Sequence, residues 1–269
     1  MAIAVFPPQQ GKALADLVHA PPCQHGIERS RWRLADLRRV VSWLHSYSLA
    51  GISQALKRLK IRRKRGRLAV TSPDPAYDRK LARIAQAQLL AEEHPAQAVL
   101  VYGDEYSLYR QPTLGAVYAG AGEEPRAVLS HRANTRHRYA GFLDMVCGEV
   151  TWLAGLKVGV EALCRSLERL RERYPTLRLF LVWDNWPIHQ HARVLTRASE
   201  LAIEILWLPT YAPWTNPIEK LWRWLVEDLL RHHRLADHFD ELKGMVAAFL
   251  DQFANGSLAL LRYVGLLPD

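Results

Sequence analysis

Apolar residues recur along this chain in two rhythms, and the change between them marks its organisation. In the first third they fall three and four apart. Leu34, Leu37, Val41 and Leu44 form one stripe, which predicts a helix from 34 to about 46. Ser48 suits the N-cap of a second helix, with Leu49, Ile52, Leu56 and Leu59 on one face. A short helix from Gly11 to Ala20, ended by Pro21-Pro22, is also expected. Thr71-Ser72-Pro73-Asp74-Pro75 carries a linker signal. A helix over 77–93 follows, with Leu81, Ile84, Ala85 and Leu89 together and Pro95 as its stop.

Beyond Pro95 short apolar runs replace the helical stripe. Residues 98–103, 115–120, 138–147 and 150–153 read as strands, with Gly148-Glu149 as a hairpin turn. Then come a helix over 159–173, a strand over 178–184, a helix over 189–200 and a strand over 203–208. A helix from Asn216-Pro217 to about His232 and a last one over 237–253 complete the chain. Antiparallel strands followed by strand–helix–strand–helix predict an α/β fold, a mixed sheet flanked by helices. The expected organisation is a small all-α region over 1–70, a linker and lead-in helix over 71–97, and one larger domain over 98–269.

Charge sharpens the picture of the first region. From Glu28 to Arg67 there are thirteen Lys/Arg against two Asp/Glu, whereas the whole 269-residue chain carries a net +9. A basic block beside a nearly neutral body is the footprint of a nucleic-acid binder. Two short helices with a basic second one suit a helix-turn-helix or winged helix. Lys57, Arg58, Lys60, Arg62, Arg63, Lys64, Arg65 and Arg67 are the candidate DNA-binding residues, the last five in a basic turn or wing over 61–70. The three cysteines, Cys23, Cys147 and Cys164, form no CxxC pair, which disfavours a zinc ribbon or a disulfide framework and fits a reduced, cytoplasmic setting. No apolar run approaches membrane-spanning length, and the first residues are too short and uncharged for a signal peptide.

Three carboxylates carry the candidate chemistry. Asp104 follows the run 98–103, Asp184 follows Leu179-Phe180-Leu181-Val182-Trp183, and Glu219 lies 34 residues beyond Asp184. Asn216 suits an N-cap and Pro217 the first helical position. Ile218, Leu221, Trp222, Leu225 and Leu229 then make an apolar stripe, with Glu219 on its flank. Each carboxylate has an ordinary alternative. Asn216 and Glu219 also spell a capping box, Asp104-Glu105 a solvated turn, and Asp184-Asn185 a turn pair. Together they suit Mg²⁺ (or Mn²⁺), which takes hard oxygen ligands, and two-metal phosphoryl transfer. The positive end of the Glu219 helix is expected to favour the ionised carboxylate. Phosphate-loop and nucleophile-elbow motifs are absent. Asn185, His189 and Asn216 are candidate auxiliary residues. His189 and His191, two apart on an expected helix start, point apart and make poor joint ligands. Trp183, Trp186, Trp207, Trp214, Trp222 and Trp224 bracket the last two carboxylates. Most suit a core, and Trp186 or Trp214 suits stacking on an unpaired base.

Asp104-Glu105 after a strand, Trp183-Asp184-Asn185 with His189, and Leu208-Pro209-Thr210-Tyr211-Ala212-Pro213-Trp214-Thr215-Asn216-Pro217-Ile218-Glu219-Lys220-Leu221-Trp222 resemble the DDE transposases of the mariner superfamily, in its bacterial insertion-sequence branch of the six-thirty type. The resemblance covers roughly 30–235. It implies an RNase H-like catalytic fold and Asp104, Asp184 and Glu219 as a triad for Mg²⁺ or Mn²⁺. It also implies cut-and-paste transposition from terminal inverted repeats into a TA target, with a freed 3′-hydroxyl attacking target DNA. A homodimer on DNA and a cytoplasmic, nucleoid-associated bacterial location follow from the same likeness. Members usually carry two DNA-binding modules, so the seventy residues before the linker imply a shortened first one. Two other readings compete: a non-catalytic DNA-binding copy that represses transposition, and a generic RNase H-like nuclease.

Overall fold

The computed structural model describes residues 8–64, 71–155 and 157–268. The chain forms two compact units, Met1–Ala69 and Val70–Asp269. In the first, α1 (Pro8–His19), α2 (Leu34–Val40) and α3 (Leu49–Arg58) pack around Leu14, Leu37, Leu44 and Ile52. The expected helix over 34–46 breaks at Val41, whose backbone is extended, and a 3-10 turn over Ser42–Leu44 follows. That break turns Leu44 into the core. Ser48 caps α3 as expected, its Oγ accepting from the Gly51 N–H at 3.1 Å. Lys57, Arg58, Lys60, Arg62, Arg63 and Lys64 are exposed. Residues 61–64 hold no regular structure, and the rest of the expected wing, Arg65 and Arg67 included, lies outside the described residues.

In the second unit α4 (Tyr77–Glu93) leads into a five-stranded sheet of order β3-β2-β1-β4-β5. The strands are β1 (Ala98–Tyr109), β2 (Arg136–Asp144), β3 (Val150–Gly155), β4 (Arg178–Trp183) and β5 (Ile203–Trp207). β1, β2 and β3 pair antiparallel, and β1, β4 and β5 pair parallel. At the β2–β3 hairpin Gly148 takes φ +73, a left-handed conformation that costs glycine little. α5 (Val160–Arg173) and α6 (Ala192–Glu200) cover one face through Leu163, Leu167, Leu170 and Val194. On the other face lie α4, α7 (Ile218–Leu225), α8 (Phe239–Asp251) and α9 (Leu258–Val264). Among the described residues no helix is long and apolar enough to cross a membrane.

Several boundaries differ from the pattern reading. β1 runs on to Tyr109 because it pairs with β2 as far as Arg136, so Asp104 stands inside a strand rather than at its end. The expected strand over 115–120 is irregular. Leu114, Val117 and Tyr118 are exposed, and the segment is fastened by Thr113, whose N–H donates to the Leu230 carbonyl at 3.0 Å. The helix expected from 189 begins at Ala192, with His191 as its N-cap. The Glu219 helix passes into a π-helical turn over Val226–Leu230 and ends there. α9 was not anticipated, its seven residues being too few for a clear period.

The segment before α4 is held on the rest of the second unit. Asp74 accepts from the Thr210 N–H (2.8 Å), the Ala76 N–H (2.9 Å) and Lys80 Nζ (2.8 Å), and Ser72 Oγ donates to the Thr210 carbonyl (2.6 Å). The Lys80 hydrogen bond and the two N–H donors hold the Asp74 pKa well below the usual carboxylate range. The contribution of Asp74 to stability is therefore complete above its unfolded pKa of about 3.9, and is lost as pH falls through the depressed folded value. Denaturation midpoints of wild type and Asp74→Asn should differ by a constant amount above about pH 5. They should converge in stronger acid. A difference that persists unchanged to pH 2 would assign Asp74 no titrating role.

Candidate active site

β1 and β4 run parallel, and their last pair is Tyr102 with Val182. Two residues further along, each strand carries its aspartate, Asp104 and Asp184. Strand alternation puts Asp104 on the face of Leu100 and Tyr102, toward α7. Ile218, Leu221 and Leu225 are fully buried there, each contributing about 1.5–3 kcal/mol, which anchors the helix that carries Glu219. Asp104, Asp184 and Glu219 thus line one cavity of about 470 Å³, together with Asn185 and Asn216.

Asp104 is held from α7. Trp222 lies one helical turn after Glu219, and its Nε1–H donates to Asp104 Oδ2 at 3.0 Å. The indole also stacks on Tyr106, with ring centroids 5.4 Å apart. Burial first, then the charges of Glu219 and Glu105, push the Asp104 pKa well above the usual carboxylate range. Glu219 is shifted upward too, by partial desolvation and by Asp184, against Arg223.

Asp184 is held from the other side of the sheet. His189 is fully buried, stacked on Trp183 at 3.8 Å and met edge-on by Trp186. Its Nδ1–H reaches Asp184 Oδ1 at 2.7 Å and its Nε2–H reaches Glu105 Oε1 at 3.0 Å. Burial alone disfavours the imidazolium, but hydrogen bonds to the two carboxylates prevail and bring its pKa up to about 9. The same bond and the Trp186 N–H overcome desolvation at Asp184 and lower its pKa. Half of the Asp184 side chain remains open to solvent.

The candidate auxiliary residues do framework work. Asn185 Nδ2 donates to the Leu208 carbonyl at 2.6 Å, tying the end of β4 to the end of β5. Asn216 does not cap the helix with its side chain, and Pro217 takes the cap position. No capping box forms. Instead Asn216 Nδ2 donates to the Gly103 carbonyl at 3.1 Å, linking the start of α7 to the strand residue before Asp104. Its buried Oδ1 has no partner among the described residues. Trp186 is half-buried, with the Arg138 guanidinium 5.6 Å from its ring centre. Trp214 is half exposed.

Two site residues escaped the sequence reading. Glu105 was legible only as the neighbour of Asp104; strand alternation sends it to the opposite face, against His189. Trp222 was taken with the core, and its spacing of three from Glu219 was the available signal. Lys57, Arg58, Lys60, Arg62, Arg63 and Lys64 belong to the other compact unit.

The donor set is one of hard oxygens, suited to a divalent cation. Among the described residues no three His, Cys, Asp or Glu side chains stand as a ready-made metal-holding group; Asp184 Oδ1 is turned to His189 instead.

Comparison with known proteins agrees with this arrangement. The family described as DDE superfamily endonuclease matches residues 99–243. A Shigella sonnei protein described as insertion element IS630 uncharacterized 39 kDa protein is 27% identical over 234 residues, which is 86% of this chain and 67% of that one. The Mos1 mariner paired-end complex with Mn has a similar fold, with a TM-score of 0.66 at 18% identity over 98% of this chain and 76% of that one. The Mos1 strand transfer complex gives 0.61 at 18% identity over 98% and 77%. With the family match spanning more than half of its length, the chain belongs to the DDE superfamily endonucleases.

Proposed function

We propose that the cleft cuts DNA strands at the ends of an insertion element and joins the freed 3′ ends to target DNA at TA. The observation that carries this reading is the convergence of Asp104, Asp184 and Glu219 on one cavity. Burial first, and then the charges of neighbouring carboxylates, raise the pKa values of Asp104 and Glu219. Asn216 lines the same cavity, and its buried Oδ1 has no partner among the described residues. These donors fit Mg²⁺ or Mn²⁺, with Asp104, Asp184 and Glu219 as the holding residues. A bound divalent ion would supply Lewis-acid activation and charge neutralisation at the scissile phosphodiester.

The chain's own residues set up that chemistry. Trp222 fixes the Asp104 carboxylate through Oδ2, and His189 holds Asp184 through Oδ1 while half of that side chain stays open to solvent. Asn216 and Asn185 keep α7 and the β4 exit in register with β1 and β5. The exposed cations Lys57, Arg58, Lys60, Arg62, Arg63 and Lys64 hold phosphates of the terminal repeats, and Arg65 and Arg67 extend that set in sequence. Two copies bring two ends together as a homodimer.

The test is a supercoiled donor plasmid carrying the element's own ends, incubated with the protein and Mg²⁺ or Mn²⁺ beside Asp184→Asn. Cleavage at the ends should fall by about a thousandfold or more in the variant, with end binding kept. Wild-type protein that binds the ends without cutting would replace this reading with that of a non-catalytic repressor.

A further inference from the structure

Four non-glycine residues have positive φ among the described residues, and of these only Tyr211 lines the carboxylate cavity. Its φ is 54°, a region that residues with a Cβ usually avoid. The strained residue is clamped on both sides. Thr210 before it has its N–H taken by Asp74 and its carbonyl by Ser72. Ala212 after it is buried, and its carbonyl accepts from the Thr215 N–H and Oγ1. What the clamp presents is a tyrosine 75% exposed on the lining of the cavity. An exposed aromatic contributes little to a fold, so stability does not account for the strain. Strain kept by over-determined surroundings is a mark of a functional position.

The carboxylates would engage a phosphodiester through a divalent cation, which grips the backbone and leaves the base beside it unheld. A flat neutral ring holds that base by stacking on it, and stacking tolerates any base.

We propose that Tyr211 is a substrate-contacting residue whose ring packs on the unpaired terminal base of the DNA strand held in the cleft. This inference rests on the reading of the cleft as a DNA-cutting site, and its test separates the two. A pre-cut end duplex carrying 2-aminopurine as its terminal base is mixed with protein in Ca²⁺, where fluorescence quenching reports stacking without any cleavage. Wild type and Asp184→Asn should quench it. Tyr211→Ala should lose the quench and bind the pre-cut end roughly tenfold more weakly. In plasmid cleavage Tyr211→Ala should raise KM with kcat nearly kept, as a contact made equally before and during reaction does. Tyr211→Phe keeps the ring and should restore the quench. Tyr211→Gly relieves the strain and should raise Tm while losing the quench as alanine does.

Unchanged quenching and affinity in Tyr211→Ala would overturn the inference and leave the cutting reading intact. So would recovery of affinity by Tyr211→Gly, which would assign the role to the backbone. Quenching by wild type that Tyr211→Ala loses, in a protein that cuts nothing, would keep the inference and overturn the cutting reading. Absence of any binding by wild type would overturn both.

Discussion

Replacing His189 by alanine is expected to destabilise the second unit by about 3–5 kcal/mol, the cost of breaking a buried ion pair from one side. The imidazolium is fully buried and carries hydrogen bonds to Asp184 and Glu105. Glu105 is the residue left stranded, its side chain only 7% exposed. Asp184, half open to solvent, can rehydrate. The stacking partner Trp183, itself fully buried, loses the ring lying 3.8 Å above it. Urea denaturation of the wild type and His189→Ala measures the difference. Glu105→Gln in the alanine background should recover much of it, because an amide is far cheaper to bury than a carboxylate. Strand cleavage should not recover with stability, since Asp184 still lacks its anchor. A His189→Ala protein within 1 kcal/mol of wild type, on the order of a single ordinary hydrogen bond, would show that the bridge is not an ion pair.

Trp222→Ala is expected to cost a similar 3–5 kcal/mol, the usual range for a large aromatic removed from a core. Its partner across the sheet explains why the indole fits. Gly141 pairs with Asp104, and a Cβ at 141 would come within 2.7 Å of the Trp222 ring. The absence of a side chain on β2 is what lets the ring lie flat enough to bond Asp104. Gly141→Ala should therefore cost about 1–3 kcal/mol by overpacking and lower cleavage by displacing the Asp104 donor. In a Trp222→Ala background the new methyl meets empty space. The double variant should then fall short of the sum of the two losses by about 1 kcal/mol or more. Strict additivity in denaturation would mean that the two residues do not share this contact.

The elements with strong periodicity were readable directly. After the exposed Arg178, β4 is an unbroken apolar run from Leu179 to Trp183, and a strand buried on both faces needs nothing else. α4 (Tyr77–Glu93) and α5 (Val160–Arg173) are long enough for the stripe to show and are bounded by Pro95 and Pro175. The Ser48 cap is equally local, a hydroxyl three residues from the N–H that it accepts. The strand expected over 115–120 failed for the converse reason. Its apolar residues satisfied β propensity, but among the described residues the segment joins no strand of the sheet, and pairing is a property of the whole sheet.

Local spacing thus accounts for whatever depends on neighbours a few residues away: the α/β order of elements, the basic character of the first region, and the motifs around Asp104, Asp184 and Glu219. Their convergence depends on contacts across the chain. The parallel β1–β4 register brings the two aspartates abreast, and the packing of α7 on the sheet adds Glu219. Only the tertiary structure decided that His189 bridges Glu105 to Asp184 and that Gly141 makes room for Trp222 to hold Asp104. It also decided that Asn216 binds Gly103 rather than its own helix. In each case at least one partner lies far along the chain, Glu105 for His189, Asp104 for Trp222 and Gly103 for Asn216, and local spacing carries no information about which distant group a side chain will meet.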